Sequence, residues 1–205
     1  MDLKNILVTG TLSFTQADAW LMALCNRLGG VIGLSPNYRL LTGGMVGDKE
    51  YGSVDFHVAK GAVASLPNHE QQLNKVYTVV PDVEDGPVTF NMGQLVQSHV
   101  NNVYERRLHL VQLADFVITV AGGQGTVDLA KIAFEQQCPI LPLYSTGGAS
   151  RDLWQDPTAR SEISEMIELD HPGQEQLMQL PADINEIMDI VLSCLKRTFA
   201  HLATE

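Results

Sequence analysis

At 205 residues the chain is long enough to bury a core without disulfide or metal staples, and it is expected to form one domain over 1–205. Thirteen Lys and Arg against 24 Asp and Glu leave a formal net charge of −11 at pH 7, which repels phosphate polymers and argues against any nucleic-acid partner. No apolar run reaches the ~18 residues that a membrane span requires, so no membrane partner is expected either.

Cys25, Cys138 and Cys194 are odd in number, far apart and outside any Cys-x-x-Cys pair, so neither a disulfide framework nor a zinc site is suggested. They read as small buried thiols. The chain passes from Met1 almost directly into a strand-like Asn-Ile-Leu-Val-Thr, with no basic region and long apolar stretch before it. A cytoplasmic protein in a reducing compartment is expected. His99, His109 and His171 lack metal-ligand spacing, and neither a metal nor a cofactor is predicted.

In chain order, Asn5–Thr9 reads as a strand. A helix follows through Trp20, Leu21, Leu24 and Leu28 and is expected to stop at Gly29-Gly30; Ser13 with Gln16, or Thr15 with Asp18, has the spacing of a capping box at its start. Tyr38–Thr42 is a second strand ending at Gly43-Gly44, and Phe56, Ala59, Ala62 and Val63 mark a second helix. Val76–Val80 is a third strand, Asp82–Gly93 a polar loop long enough to be a lid or otherwise functional, and Val96 to Ala114 a helix. Phe116–Val120 is a fourth strand, Gly125–Gln137 a helix, and Pro139–Leu143 a fifth strand running into Ser145-Thr146-Gly147-Gly148. Thr158–Ile167 and Asp183–Leu202 are helical, and the last of these packs back on the sheet or against a partner chain.

Short apolar strands without alternation, separated by helices of ten or more residues, predict an α/β fold: a Rossmann-like, doubly wound, mostly parallel sheet with helices on both faces. Four strands end in small-residue turns, at Gly10-Thr11, Gly43-Gly44, Ala121–Thr126 and Thr146-Gly147. In such a sheet these ends share one edge, where main-chain amides and helix N-termini can cradle a phosphate. The candidate ligand-binding residues are therefore Gly10, Thr11, Gly43, Gly44, Arg106, Gly122, Gly123, Gln124, Gly125, Thr126, Thr146 and Gly147. Asp48, Lys49, Asp55 and His57 either contact a ribose or base or lie on a solvated face. Beside Arg151 and Asp152, Trp154 either stacks on a base or belongs to the core. Arg106 and Arg107 face different sides of one helix, so at most one reaches the crevice; Arg106 is favoured for a phosphate.

Gly122-Gly123-Gln124-Gly125-Thr126, after a strand and one helix downstream of Glu105-Arg106-Arg107, resembles the Gly-Gly-x-Gly-Thr signature of the LOG ("lonely guy") phosphoribohydrolases of the SLOG superfamily. The likeness runs from Ile6 to about Tyr144 and includes the double glycine Gly43-Gly44. It implies a small nucleotide or phosphosugar ligand and a homo-oligomer, dimer or larger. In the family the motif reads Pro-Gly-Gly-x-Gly-Thr-x-x-Glu, its glutamate working with an arginine to cleave an N-glycosidic bond. Arg106 matches that arginine, but Ala121 stands at the proline, Leu129 at the glutamate, and Asp128 comes one residue early, about 100° round the helix. The resemblance thus points to a domain that binds a nucleotide-derived signal of the ADP-ribose, NAD-derived or nucleoside-phosphate type. The alternative is a hydrolase that uses Arg106 and Asp128.

Overall fold

The computed structural model describes residues 2–47, 50–81, 89–100, 102–179 and 183–201. Six strands form one sheet: β1 (Lys4–Gly10), β2 (Tyr38–Thr42), β3 (Val76–Pro81), β4 (Gln94–Ser98), β5 (Phe116–Val120) and β6 (Ile140–Leu143), in the order β4-β3-β2-β1-β5-β6. All five pairings are parallel, with Ile6 opposite both Leu40 and Phe116. Ile6, Leu7, Val8, Leu40, Leu41, Phe116, Ile118 and Leu141 are fully buried. Burial on both faces explains why these strands read as unbroken apolar runs.

The helices are α1 (Ala19–Leu34), α2 (Val54–Ser65), α3 (His69–Lys75), α4 (Val103–Leu113), α5 (Gln124–Glu135), α6 (Gly148–Gln155), α7 (Pro157–Met166), α8 (His171–Met178) and α9 (Ile184–His201). Helices α1 and α2 pack together, as do α4 and α5, and the right-handed crossover rule for parallel strands puts the two pairs on opposite faces of the sheet. No helix among the described residues is long and apolar enough to cross a membrane. The last helix, α9, packs back on the fold: Phe199 lies against the rings of Tyr38 and Phe116, and Ile187, Val191 and Leu195 are buried.

Several sequence expectations are corrected. The single helix from Val96 to Ala114 is instead an edge strand, a break and α4, because Gln94–Ser98 pairs with β3 and Asn102 caps the helix by accepting from Glu105 N at 2.9 Å. The first helix does not stop at Gly29-Gly30 but runs on to Leu34. Its glycines let α2 approach: a Cβ on Gly29 would lie 1.9 Å from Val58 O. Of the two capping spacings the structure uses the second, Thr15 N and Oγ1 both donating to Asp18 Oδ2 at 2.8 Å. Helices α3, α6 and α8 are additions to the sequence reading. Most of the Asp82–Gly93 loop lies outside the described residues; at its end Phe90 N donates to Gly44 O at 3.1 Å.

Candidate ligand-binding edge

Because the strands are parallel, the turns after β1, β2, β5 and β6 all open on the carboxyl edge. The chain leaves β1 toward β2, β3 and β4 and then returns to β1's other side as β5. The topological switch point therefore falls between the turn at Gly10-Thr11 and the turn Ala121–Gly125.

These two turns are tied together. A Cβ on Gly10 would stand 1.9 Å from Val120 O, so β1 and β5 close here only through glycine. Thr11 N donates to Val120 O at 3.2 Å, and Thr11 Oγ1 accepts from Gly122 N at 3.0 Å. Ala121 has φ +51°, a left-handed conformation, and Gly122 has φ +92°. Holding an alanine there costs about 1–3 kcal/mol, and the β6 turn supplies the bonds that hold it. Thr146 Oγ1 accepts from Ala121 N at 2.7 Å, and Ser150 N and Oγ each donate to Ala121 O at 3.0 Å. A proline, fixed at a φ of about −65°, does not fit such a position. The departure from the family's proline thus has a backbone cause.

The first-turn amides of α6 are bonded within the protein, Ala149 N to Gly122 O and Ser150 N to Ala121 O, both at 3.0 Å. The first turn of α5 differs. Among the described residues, the backbone N–H groups of Gly123, Gln124 and Gly125 have no acceptor. A Cβ built on Gly123 meets nothing within 4 Å, and the same holds for Gly147. Thr126 is buried, its side chain against Gly122.

Beside this open turn lies Arg107 rather than Arg106. Its Nη2 is 2.6 Å from where a Cβ on Gly125 would stand, and its Nη1 bonds Asp128 Oδ2 at 2.9 Å. Gln124 Nε2 donates to Asp128 Oδ1 at 2.8 Å. Both carboxylate oxygens are engaged, and Gln124, with Arg107, holds Asp128 below its ordinary pKa. Leu129, at the family's glutamate position, is packed in the core.

Arg106 points to the β2 turn. It donates through Nη2 to Gly43 O, and its Nη1 lies 3.0 Å from Met45 Sδ. Its Nε is buried with no acceptor among the described residues. The same turn holds Asp55, 4% exposed, whose Oδ2 accepts from Met45 N at 3.3 Å. A Cβ on Gly43 would come within 2.8 Å of that oxygen, and Gly44 has φ +75°. Burial raises the Asp55 pKa to about 6, against the lowering pull of the Met45 and Gly43 amides and the Arg106 charge. The Gly43-Gly44 turn, expected to receive a ligand, thus already contains an internal carboxylate and its arginine.

The remaining candidates are dispersed. His57 is buried between Asn26 Nδ2 at 3.0 Å and Tyr51 O at 2.7 Å, and burial lowers its pKa. Trp154 belongs to the core, fully buried and donating from Nε1 to Pro142 O at 2.6 Å. Arg151 and Asp152 form an exposed pair at 3.9 Å, and Asp48 and Lys49 lie outside the described residues. Among the described residues no group of three His, Cys, Asp or Glu side chains could hold a metal. Two adjoining surface hollows of about 510 and 440 Å³ between α8 and α9 share no residue with these turns.

Sequence reasoning missed Arg107 and the internal role of Asp55. A local signal existed for the first: residues four apart share a helix face, so Arg106 goes with Leu110, which reaches Gly43, and Arg107 with buried Val111.

No protein-family model and no curated protein matches the chain. Solved structures do. The molybdenum cofactor binding protein of the phototrophic bacterium Rippkaea orientalis is similar with a TM-score of 0.60 at 18% identity, covering 95% of this chain and 99% of its own. The Moco carrier protein of Chlamydomonas reinhardtii gives 0.59 at 18% identity, covering 96% and 99%. The single-stranded-DNA-binding DNA processing protein A of Helicobacter pylori gives 0.54 at 15% identity, covering 82% of each chain. At these identities the likeness is one of fold: the chain has a Rossmann-like, doubly wound α/β fold with an all-parallel sheet.

Proposed function

We propose that this chain binds a phosphate-bearing nucleotide, of the ADP-ribose, NAD-derived or nucleoside-phosphate type, at the switch point between β1 and β5, and holds it without cleaving it. The observation that carries this reading is the contrast within one turn of α5. Unbonded amides of Gly123, Gln124 and Gly125 stand beside the Arg107 guanidinium, while Asp128 is bonded on both oxygens. Free amides at a helix N-terminus with a forked cation suit a phosphate. A carboxylate that acts on a glycosidic bond has to face the substrate, and Asp128 faces Arg107 and Gln124 instead. Neighbours described as cofactor-binding and carrier proteins support a holding role.

Those neighbours favour one second reading, a phosphate-bearing pterin of the molybdenum-cofactor kind in the same place. Single-stranded DNA, bound by the Helicobacter pylori protein, is disfavoured by the net charge of −11. The test incubates purified protein with AMP and with ADP-ribose, following thermal unfolding and free adenine by chromatography. A ligand at a hundred times its Kd stabilises by about 2.7 kcal/mol, or roughly 5–10 °C for a chain of this size. The expected result is such a rise without adenine release. Steady adenine release would establish the hydrolase alternative, and no rise with either nucleotide removes the nucleotide reading. Mass spectrometry of any co-purified ligand distinguishes purine from pterin.

A further inference from the structure

Of the turns on the carboxyl edge, the β2 turn holds a buried charge pair. Asp55 Oδ2 takes the Met45 amide, Arg106 is bound to the Gly43 carbonyl, and the Arg106 Nε–H is buried without an acceptor among the described residues. This pair lies close to the proposed ligand. Val54, next to Asp55, donates to Thr11 O at 3.0 Å, and Thr11 Oγ1 accepts from Gly122 N at 3.0 Å. On the other side, Arg106 is followed by Arg107, which lies across Gly125. The titratable groups acting on Asp55 among the described residues are Arg106 from α4 and the Cys25 thiol from α1, whose pKa burial pushes up. His57, two residues on in α2, has its pKa lowered by burial and is already bonded to Asn26 and Tyr51.

We propose that anion binding at the switch point is coupled to proton uptake by Asp55, so that the site holds its ligand more tightly as the pH falls. This rests on the reading under Proposed function. An incoming phosphate adds negative potential beside the carboxylate, which favours the neutral form of Asp55. One unit charge at roughly 10 Å, through an effective dielectric of about 20, raises a neighbouring carboxyl by about one pKa unit. Burial has already brought Asp55 to about 6, so such a rise carries its titration to neutral pH. At pH 7 the protonated share then goes from about a tenth to about a half, an uptake of about 0.4 proton per ligand, and affinity tightens by up to about tenfold between pH 8 and pH 5.

The test is calorimetric titration of the full chain with ADP-ribose, whose diphosphate stays ionised near neutral pH, in two buffers of different ionisation enthalpy at pH 7. Proton uptake near the stated size is expected in the wild type, and none in Asp55→Asn. Should that variant fail to fold, the wild-type affinity measured across pH decides alone. Binding without uptake, and with no change in affinity across pH, overturns the coupling and leaves the binding site standing. Uptake of equal size in a folded Asp55→Asn overturns the role of Asp55. No binding heat at any pH overturns the underlying reading itself.

Discussion

Asp55→Asn isolates the energetic consequence of burying a carboxylate beneath the β2 turn. Folding raises the Asp55 pKa from its ordinary 3.8 to about 6. At 1.36 kcal/mol per pKa unit this is about 3 kcal/mol. The sign follows from the direction: the folded chain binds the proton more tightly than the unfolded one, so the carboxylate destabilises the fold. That cost is present in full above pH ~6, fades as the pH falls through 6, and is gone below about 4, where both states are protonated. Asparagine keeps an oxygen for the Met45 amide and carries no charge. The 24 Asp and Glu titrate together, so the informative quantity is the difference between wild type and variant. Urea unfolding at pH 8, 7, 6 and 5 measures it. We expect Asp55→Asn to be at least as stable as wild type at pH 8, with the wild type gaining on it by about 1.4 kcal/mol by pH 5, roughly half of the full difference. A difference that does not change with pH, or a wild type that loses ground on acidification, would refute the reasoning.

Two further outcomes follow from packing. Gly29→Ala places a methyl group 1.9 Å from Val58 O and should cost at least about 1–3 kcal/mol in urea unfolding; unchanged stability would show that α1 and α2 can move apart freely. Trp154→Phe removes the donor to the buried Pro142 O and should cost about 1–3 kcal/mol while leaving ADP-ribose binding intact. Loss of binding with stability retained would give Trp154 the stacking role that its burial denies.

The strands of this fold were legible because β1, β2, β5 and β6 are buried on both faces and need no partner information to be read as apolar runs. β4 was not. An edge strand has one neighbour, and Gln94-Leu95-Val96-Gln97-Ser98 owes its conformation to backbone pairing with β3, while Val96, Val103 and Leu110 also fit a helical spacing. Gly29-Gly30 looked like a stop because glycine is a poor helix residue, yet the reason for it lies about thirty residues away at Val58. The carboxyl-edge turns were legible as a set, since parallel topology gathers them. Which arginine meets which turn was not, because it depends on how α4 lies between β2 and α5. That Asp55 occupies the β2 turn is likewise a fact of tertiary burial.

The central claim, an anion cradle in the first turn of α5, is tested most directly by calorimetric titration of wild type and Gly123→Val with ADP-ribose. Gly123 has φ −126° and ψ −150°, extended backbone that valine adopts, and a Cβ there meets nothing within 4 Å. As a poorer N-cap, valine should cost at most about 1 kcal/mol. The wild type should bind and a folded Gly123→Val should not; equal affinity in the two proteins would show that the ligand does not sit on the first turn of α5.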